Sequence, residues 1–199
     1  MKKILFVGAS GMVANILLPK LSETYSIIGI SARRNDLASY CEEHILADLT
    51  KGGGIVLPEL FLKHEFDIVI WNAVRYFKTP LLGASRLTLL TEFDLAVALP
   101  VECVRLYAKA DHAGRKKKFI AMASKSAFAY QQGLTSYGIV KQAQITLMDY
   151  LAKEVPSISF TAVAPSNVQK IDQEKFCASI LRCIEQESGT LVTIDRDID

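Results

Sequence analysis

The sequence predicts an α/β fold, a doubly wound parallel sheet of seven strands with helices on both faces. Short apolar runs alternate with longer amphipathic segments along the whole chain. Some runs are almost wholly apolar, as in 67–72, which is typical of a strand covered on both faces. With 199 residues, half of them hydrophobic, the chain is long enough to bury such a sheet as one domain spanning residues 1–199.

Each predicted element follows from its apolar spacing. The apolar runs predict strands at 4–7, 27–31, 44–47, 67–72, 119–123, 159–164 and 190–194. The amphipathic segments predict helices at 11–23, 56–64, 85–113, 135–153 and 172–187. Pro19 and Pro100 fall inside two of these helices and predict kinks, because proline has no N–H to donate. The basic run 115–118 is interpreted as a solvated loop before the fifth strand.

Composition excludes several classes of function. A net charge of +2 gives no reason to expect a nucleic-acid or membrane-surface partner. The four cysteines form no C-x-x-C pair and the three histidines are isolated, so we expect free thiols and neither a disulfide framework nor a metal site. No apolar stretch approaches the length of a transmembrane helix. We therefore expect a soluble, cytoplasmic protein.

The turn after the first predicted strand has the pattern G-x-x-G-x-x-A, from Gly8 to Ala14. Gly8 permits a tight turn, and Gly11 has no side chain to keep a phosphate from the backbone. A pyrophosphate would then lie at the positive N-terminus of the following helix. The turn is predicted to bind a dinucleotide through Gly8, Ser10, Gly11, Met12 and Val13.

The end of the second predicted strand bears on which dinucleotide binds. NAD sites commonly place a carboxylate there for the ribose 2′-hydroxyl. Here the strand ends in Ser31, followed by Arg33 and Arg34, and the first carboxylate is Asp36. A hydroxyl and two guanidinium groups suit a 2′-phosphate. We therefore expect NADP(H) in preference to NAD(H), with NAD(H) kept as the alternative and two solvated arginines as the competing interpretation.

Tyr137 and Lys141 lie one turn apart at the start of a predicted helix. The i, i+4 spacing puts both side chains on one face, where an ammonium lowers the pKa of a phenol and makes it usable as an acid or base. Ser124 follows the fifth strand, at the carboxyl edge where open α/β sheets bind ligands. Its hydroxyl could hold a carbonyl oxygen beside Tyr137.

Taken together, these motifs resemble the short-chain dehydrogenase/reductase family over nearly the whole chain. The resemblance rests on the turn Gly8–Ala14, Asp48 after the third strand, Asn72-Ala73 after the fourth, Ser124, Tyr137-x-x-x-Lys141, and Pro165-Ser166 after the sixth. It implies a Rossmann fold and NAD(P)(H). It also implies hydride transfer between the nicotinamide and a small carbonyl or alcohol substrate.

The resemblance further implies a role for individual residues. Tyr137 would donate or accept the proton, Lys141 would lower its pKa and hold the nicotinamide ribose, and Ser124 would orient the substrate oxygen. Asp94 is the best match to an asparagine that supports a proton-relay water, and it is included among the catalytic residues. Further cofactor contacts are expected from Asp48 and Leu49 at the adenine, Asn72 and Ala73 at its ribose, and Val74, Pro165, Ser166 and Val168.

The sequence also departs from the family pattern. Asp94 replaces the usual asparagine, Ser166 replaces a glycine, and residues 169–171 are nearly all that connects the sixth strand to the last helix. The usual helical substrate lid is therefore missing, and the aromatic and basic segment 75–86 or a partner subunit would cover the pocket. The alternative function is a non-catalytic NADP(H)-binding sensor or scaffold. The family resemblance implies a homodimer or homotetramer through the helices 85–113 and 135–153.

Overall fold

The computed structural model describes residues 1–52, 56–78, 80–110, 114–186 and 191–195. The strands are β1 (Lys3–Val7), β2 (Ser26–Ser31), β3 (Glu43–Leu46), β4 (Ile68–Trp71), β5 (Lys117–Met122), β6 (Ile158–Pro165) and β7 (Leu191–Ile194). The helices are α1 (Met12–Leu21), α2 (Val56–Lys63), α3 (Arg86–Phe93), α4 (Leu99–Lys109), α5 (Thr135–Glu154) and α6 (Gln173–Glu185). Some terminal residues of predicted elements lie outside the described ranges, namely 111–113, Glu187 and Thr190, and so does Thr79.

The seven strands form one parallel sheet in the order β3-β2-β1-β4-β5-β6-β7. The order reverses between β1 and β4, which is where sheets of this kind bind ligands. The predicted doubly wound sheet is thus confirmed. Within the described ranges, no helix is both long enough and apolar enough to cross a membrane.

Two hydrophobic cores lie on opposite faces of the sheet. Because side chains alternate along a strand, Leu5 and Val7 of β1 enter one core while Ile4 and Phe6 enter the other. The first core is closed by α2, α4 and α5, and the second by α1 and α6. Burial on both faces explains why the central strands read as continuous apolar runs.

The predicted helix 85–113 is divided rather than simply kinked at Pro100. A π-helical segment, Asp94–Ala98, separates α3 from α4, and Pro100 lies in the first turn of α4. Proline cannot donate to the preceding turn, so the regular ladder is interrupted just before it. The buried indole of Trp71 contacts this segment, because its Nε1 donates to the Leu95 carbonyl at 2.7 Å.

The basic run 115–118 was predicted to be a solvated loop, and this prediction is wrong for its last two residues. Lys117 and Lys118 begin β5 and are buried. The Lys117 ammonium donates to the Tyr107 carbonyl at 2.8 Å, at the end of α4. The Lys118 ammonium donates to the Cys183 carbonyl at 2.7 Å, at the end of α6. Unpaired carbonyls at helix C-termini attract cations, and the two lysines therefore anchor helices on opposite faces of the sheet.

Candidate active site

A cleft of about 1780 Å³ opens at the carboxyl edge of the sheet. It is lined by the turn after β1, by the segments that follow β2, β4, β5 and β6, and by the first turns of α5. Parallel strands bring their carboxyl ends to one edge, which is why residues far apart in sequence meet here. The cleft exceeds the 300–1,000 Å³ that is usual for one small ligand, so it has room for a dinucleotide and a substrate.

The turn after β1 lines the cleft at the point where the strand order reverses. Gly8 has φ of +94°, and a Cβ there would lie 2.6 Å from the Ala73 backbone nitrogen. The Asn72 side chain donates to the Gly8 carbonyl at 2.9 Å and holds the turn against β4. Within the described residues, α1 has neither a side-chain cap nor an acidic residue in its first turn. Its free N–H groups therefore fit an anionic pyrophosphate.

The segment after β2 holds only some of the groups predicted to bind a 2′-phosphate. Arg33 is exposed and lines the cleft, whereas Arg34 does not line it. Ser31 lines the cleft but is 4% exposed, and its hydroxyl donates to the Arg33 carbonyl at 2.6 Å and lies 2.9 Å from His44 Nε2. Arg33 is thus the predicted guanidinium that lines the cleft, and the predicted binding roles of Ser31 and Arg34 stay predictions.

Asp48 and Leu49, which follow β3 and were predicted to contact the adenine, both line the cleft. The Asp48 carboxylate accepts hydrogen bonds from the Thr50 N–H at 3.0 Å and the Thr50 hydroxyl at 2.7 Å, and it pairs with Arg75 at 3.2 Å. The Thr50 hydroxyl, with the Thr50 N–H and Arg75, lowers the pKa of Asp48. The ion pair joins the segment after β3 to the segment after β4, and Asn72, Ala73 and Val74 of the latter also line the cleft.

Tyr137 and Ser124 both line the cleft. Ser124 Oγ accepts a hydrogen bond from the Ser126 N–H at 3.2 Å, which fixes the hydroxyl at the end of β5. Burial raises the pKa of Tyr137 to about 12, while a hydrogen bond with the Ser124 side chain acts to lower it. The Tyr76 ring meets the Tyr137 ring edge-on, with centroids 5.2 Å apart. The phenol is therefore protonated at neutral pH.

Lys141 lines the same part of the cleft and is 1% exposed. Its ammonium donates to the Met122 carbonyl at 2.6 Å and to Gln144 Oε1 at 2.9 Å, and lies 5.7 Å from the centroid of the Tyr137 ring. Burial lowers the pKa of Lys141 to about 7. The predicted lowering of the Tyr137 pKa by this ammonium is absent here, because burial raises the pKa of the phenol and removes charge from the lysine near neutrality.

Asp94, predicted as a catalytic residue, does not line the cleft, although its neighbour Leu95 does. Asp94 begins the π-helical segment, and burial followed by the charge of Glu102 raises its pKa. The predicted catalytic role of Asp94 stays a prediction. Two residues earlier, Glu92 is buried, whereas Asp94 is half-buried. Glu92 lies three residues before Leu95 and seven before Leu99, so the apolar spacing of the helix could have marked it as buried.

Pro165, Ser166 and Val168, which lie at the end of β6 and after it, also line the cleft. The Ser166 hydroxyl is buried and has no hydrogen-bond partner among the described residues. A buried, unpaired hydroxyl at this edge suits a ligand that supplies the missing partner. The uncapped N-terminus of α1 and the unpaired hydroxyl of Ser166 therefore fit a nicotinamide dinucleotide.

Comparison with solved structures identifies the architecture. The sequence itself matches no protein-family model and no curated protein. The structure resembles 4-hydroxyisoleucine dehydrogenase complexed with NADH, with a TM-score of 0.86 at 20% identity over 98% of both chains. It also resembles a short-chain dehydrogenase from Sphingobium yanoikuyae in complex with NADPH, with a TM-score of 0.82 at 16% identity over 97% of this chain and 87% of that one. This chain has the short-chain dehydrogenase fold.

Several cleft residues of this short-chain dehydrogenase fold were not predicted individually. They share positions in segments whose place depends on the fold, before α5 or after β4: Tyr76, Phe77, Lys78, Phe128, Gln131 and Leu134. The aromatic and basic character of segment 75–86 was the one signal in the sequence. Residues 168–170 form a single 3₁₀ turn and α6 begins at Gln173, so the expected short connection after β6 is confirmed.

Proposed function

We propose that the protein is an NAD(P)(H)-dependent oxidoreductase acting on a small carbonyl or alcohol. The observation that carries the proposal is the presence of Ser124, Tyr137 and Lys141 in one cleft with the uncapped N-terminus of α1. A screen of aldehydes, ketones and quinones with NADPH and NADH tests it by following the loss of reduced cofactor. Tight cofactor binding without turnover on any of them would contradict it.

The bound nicotinamide would supply or accept the hydride. Tyr137, protonated at neutral pH, would donate its proton to the substrate oxygen during carbonyl reduction. Ser124 would hold that oxygen beside the phenol, since its Oγ is fixed by the Ser126 N–H. Lys141 would hold the ribose, which requires its ammonium to leave Gln144. In this scheme one side chain donates the proton, one orients the substrate and one binds the cofactor.

The preference for NADP(H) is proposed to depend on Arg33. Its guanidinium is exposed, lines the cleft and follows a strand that ends without a carboxylate. Loss of a charged hydrogen bond costs about 1.5–3 kcal/mol, so Arg33→Ala is expected to weaken NADPH binding roughly 10- to 100-fold. NADH binding, which involves no 2′-phosphate, is expected to change little.

Titration calorimetry with both cofactors measures the effect of Arg33→Ala. Arg34→Ala is the matched control, because it removes the same charge from a residue that does not line the cleft. Equal losses of NADPH affinity in the two variants would show that general charge, and not a contact from Arg33, decides the preference.

The substrate is proposed to be small, with an aromatic or anionic part. Tyr76, Phe77 and Lys78 line the cleft on the same segment, and Tyr76 contacts the Tyr137 ring. One structure of the similar 4-hydroxyisoleucine dehydrogenase contains both NADH and succinate, a small dicarboxylate. Carboxylate-bearing carbonyl compounds therefore belong in the first panel of substrates.

A second candidate function is a protein that binds NADP(H) without turnover. This alternative is favoured by the hydrogen bonds that the Lys141 ammonium donates to the Met122 carbonyl and to Gln144. These bonds occupy the ammonium that would otherwise bind the nicotinamide ribose. Tight NADPH binding in calorimetry, no activity across the panel, and no effect of Tyr137→Phe on cell function would together support this alternative.

We also propose a homodimer through α5 and the π-helical segment. A groove of about 600 Å³ on this face is lined by eight uncharged residues, Phe93, Val97, Ile139, Gln142, Ala143, Thr146, Leu147 and Tyr150. An uncharged face pairs best with another uncharged face, and a two-fold axis supplies one from a second copy. Assembly into a tetramer would need a second interface elsewhere.

Ile139→Glu is expected to convert the dimer to a monomer, because it places a charge in the middle of an apolar contact. Light scattering gives the mass. Leu62→Glu on α2, where the side chain is 90% exposed, is the control and should leave the mass unchanged. A monomeric mass for the unaltered protein would contradict the proposed dimer.

A further inference from the structure

Two polar side chains interrupt the buried apolar face of α5. Residues 141, 144, 148 and 151 follow one another at the three- and four-residue spacing of one helix face, and all four are buried. Met148 and Leu151 join the hydrophobic core, whereas Lys141 and Gln144 bring polar groups to the same face. A buried polar side chain is costly unless it is hydrogen-bonded, so Gln144 calls for a polar contact that justifies its place.

Gln144 makes that contact with the Lys141 ammonium. Gln144 Oε1 accepts a hydrogen bond from Lys141 Nζ at 2.9 Å, and the Met122 carbonyl accepts another from the same nitrogen at 2.6 Å. Gln144 Nε2 is buried and has no hydrogen-bond partner among the described residues. The amide oxygen is therefore the part of Gln144 that forms a polar contact here, and its donor is one of the three side chains of the candidate active site.

We propose that Gln144 is a positioning residue whose amide oxygen holds the Lys141 ammonium beside the Met122 carbonyl in the cofactor-free protein. Its place in a reaction rests on the proposed function, in which Lys141 binds the nicotinamide ribose. Gln144 does not line the cleft, so it acts through Lys141 and touches neither substrate nor cofactor. The two acceptors keep the buried amine charged and in one position until the ribose takes the place of Gln144.

The surroundings of Lys141 determine the direction of the expected effect. The Tyr137 ring lies 5.7 Å from Nζ, and Tyr76 packs edge-on against that ring. The described elements packed against α5 carry six further titratable groups, namely Arg86, Glu92, Asp94, Lys117, Lys118 and Lys125. Burial, and not the charge of any of these described groups, lowers the pKa of Lys141 to about 7. An acceptor stabilises the charged amine, so removal of the Gln144 oxygen is expected to lower the pKa further.

The decisive experiment follows the ionisation of Lys141 in the protein without cofactor or substrate. The nuclear magnetic resonance signal of the Lys141 ε-carbon, identified by its absence from Lys141→Met, is recorded against pH. Gln144→Met removes the acceptor at similar side-chain length and is expected to lower the titration midpoint by about 1 pH unit. Met148→Leu alters the packing of the same buried face without removing an acceptor, so its midpoint should not change. Coincident midpoints for Gln144→Met and the unaltered protein would overturn the proposal.

Gln144→Glu keeps the test decisive if Gln144→Met does not fold. It retains the acceptor and adds a negative charge beside the ammonium, so the Lys141 midpoint is expected to rise. An unchanged or lower midpoint in Gln144→Glu would refute the contact. Water entering a loosened face would raise both midpoints, whereas loss of the acceptor lowers that of Gln144→Met. The titrations need no turnover, so the expected midpoints in a protein without activity would support the contact and contradict only the proposed function.

Discussion

Tyr137→Phe is expected to lower the rate of carbonyl reduction by about 10²- to 10⁴-fold, the contribution usual for a positioned general acid. The substitution removes only the phenolic oxygen, whose pKa of about 12 keeps it protonated and able to donate at neutral pH. The ring and its edge-on contact with Tyr76 should remain. Cofactor binding is expected to persist, because the turn after β1 and the segment after β2 are untouched.

The rate of NADPH consumption on an active substrate measures this effect, and calorimetry measures cofactor affinity in the same variant. Tyr130→Phe is the matched control, since the Tyr130 side chain is exposed and does not line the cleft. Full turnover by Tyr137→Phe would exclude the proposed mechanism. A loss of cofactor binding equal to the loss of rate would instead assign Tyr137 to binding.

Gly8→Ala is expected to lower the free energy of unfolding by about 2–5 kcal/mol, from a left-handed φ and a steric clash together. The φ of +94° is strained for any side chain, and the new Cβ would lie 2.6 Å from the Ala73 nitrogen and 2.7 Å from the Asn72 carbonyl carbon. Both atoms are backbone, so neither can swing aside. The loss is a large part of the 5–15 kcal/mol that is usual for a whole domain.

Denaturant unfolding followed by circular dichroism measures the loss of stability. Gly133→Ala is the matched control, because Gly133 has φ of +78° but its Cβ would meet nothing within 4 Å among the described residues. It should lose only the 1–2 kcal/mol or so that the left-handed conformation costs. Equal losses in the two variants would show that backbone conformation alone, and not the close approach of β1 to β4, makes glycine necessary at position 8.

The positions of the strands and the residues of the cleft follow from features that are local in the sequence. Apolar runs of strand length, with turn residues between them, predicted each strand of the parallel sheet to within a few residues. Gly8, Ser124 and Tyr137 each lie at the end of a strand or the start of a helix, and parallel strands bring such positions to one edge. The order of strands and helices along the chain is therefore enough to predict that these residues meet in one cleft.

Other positions depend on contacts between elements. Asp94 and Glu92 are two residues apart on one helical stretch, yet Glu92 is buried by the elements packed against it and Asp94 is only half-buried. The sequence predicted solvated charges at Lys117 and Lys118. Their hydrogen-bond partners are carbonyls at the ends of α4 and α6, which lie elsewhere in the chain. Local patterns carry no information about those partners.

The amino-acid sequence by itself determined the parallel sheet, the turn at Gly8, and the meeting of Ser124, Tyr137 and Lys141 at one edge, because periodicity and strand ends are local properties. Only the tertiary structure decided the protonation of the site. Burial raises the pKa of Tyr137 to about 12 and lowers that of Lys141 to about 7, in place of the mutual effect that their spacing predicts. Desolvation is a property of the packed cleft, and no spacing of residues along a chain contains it.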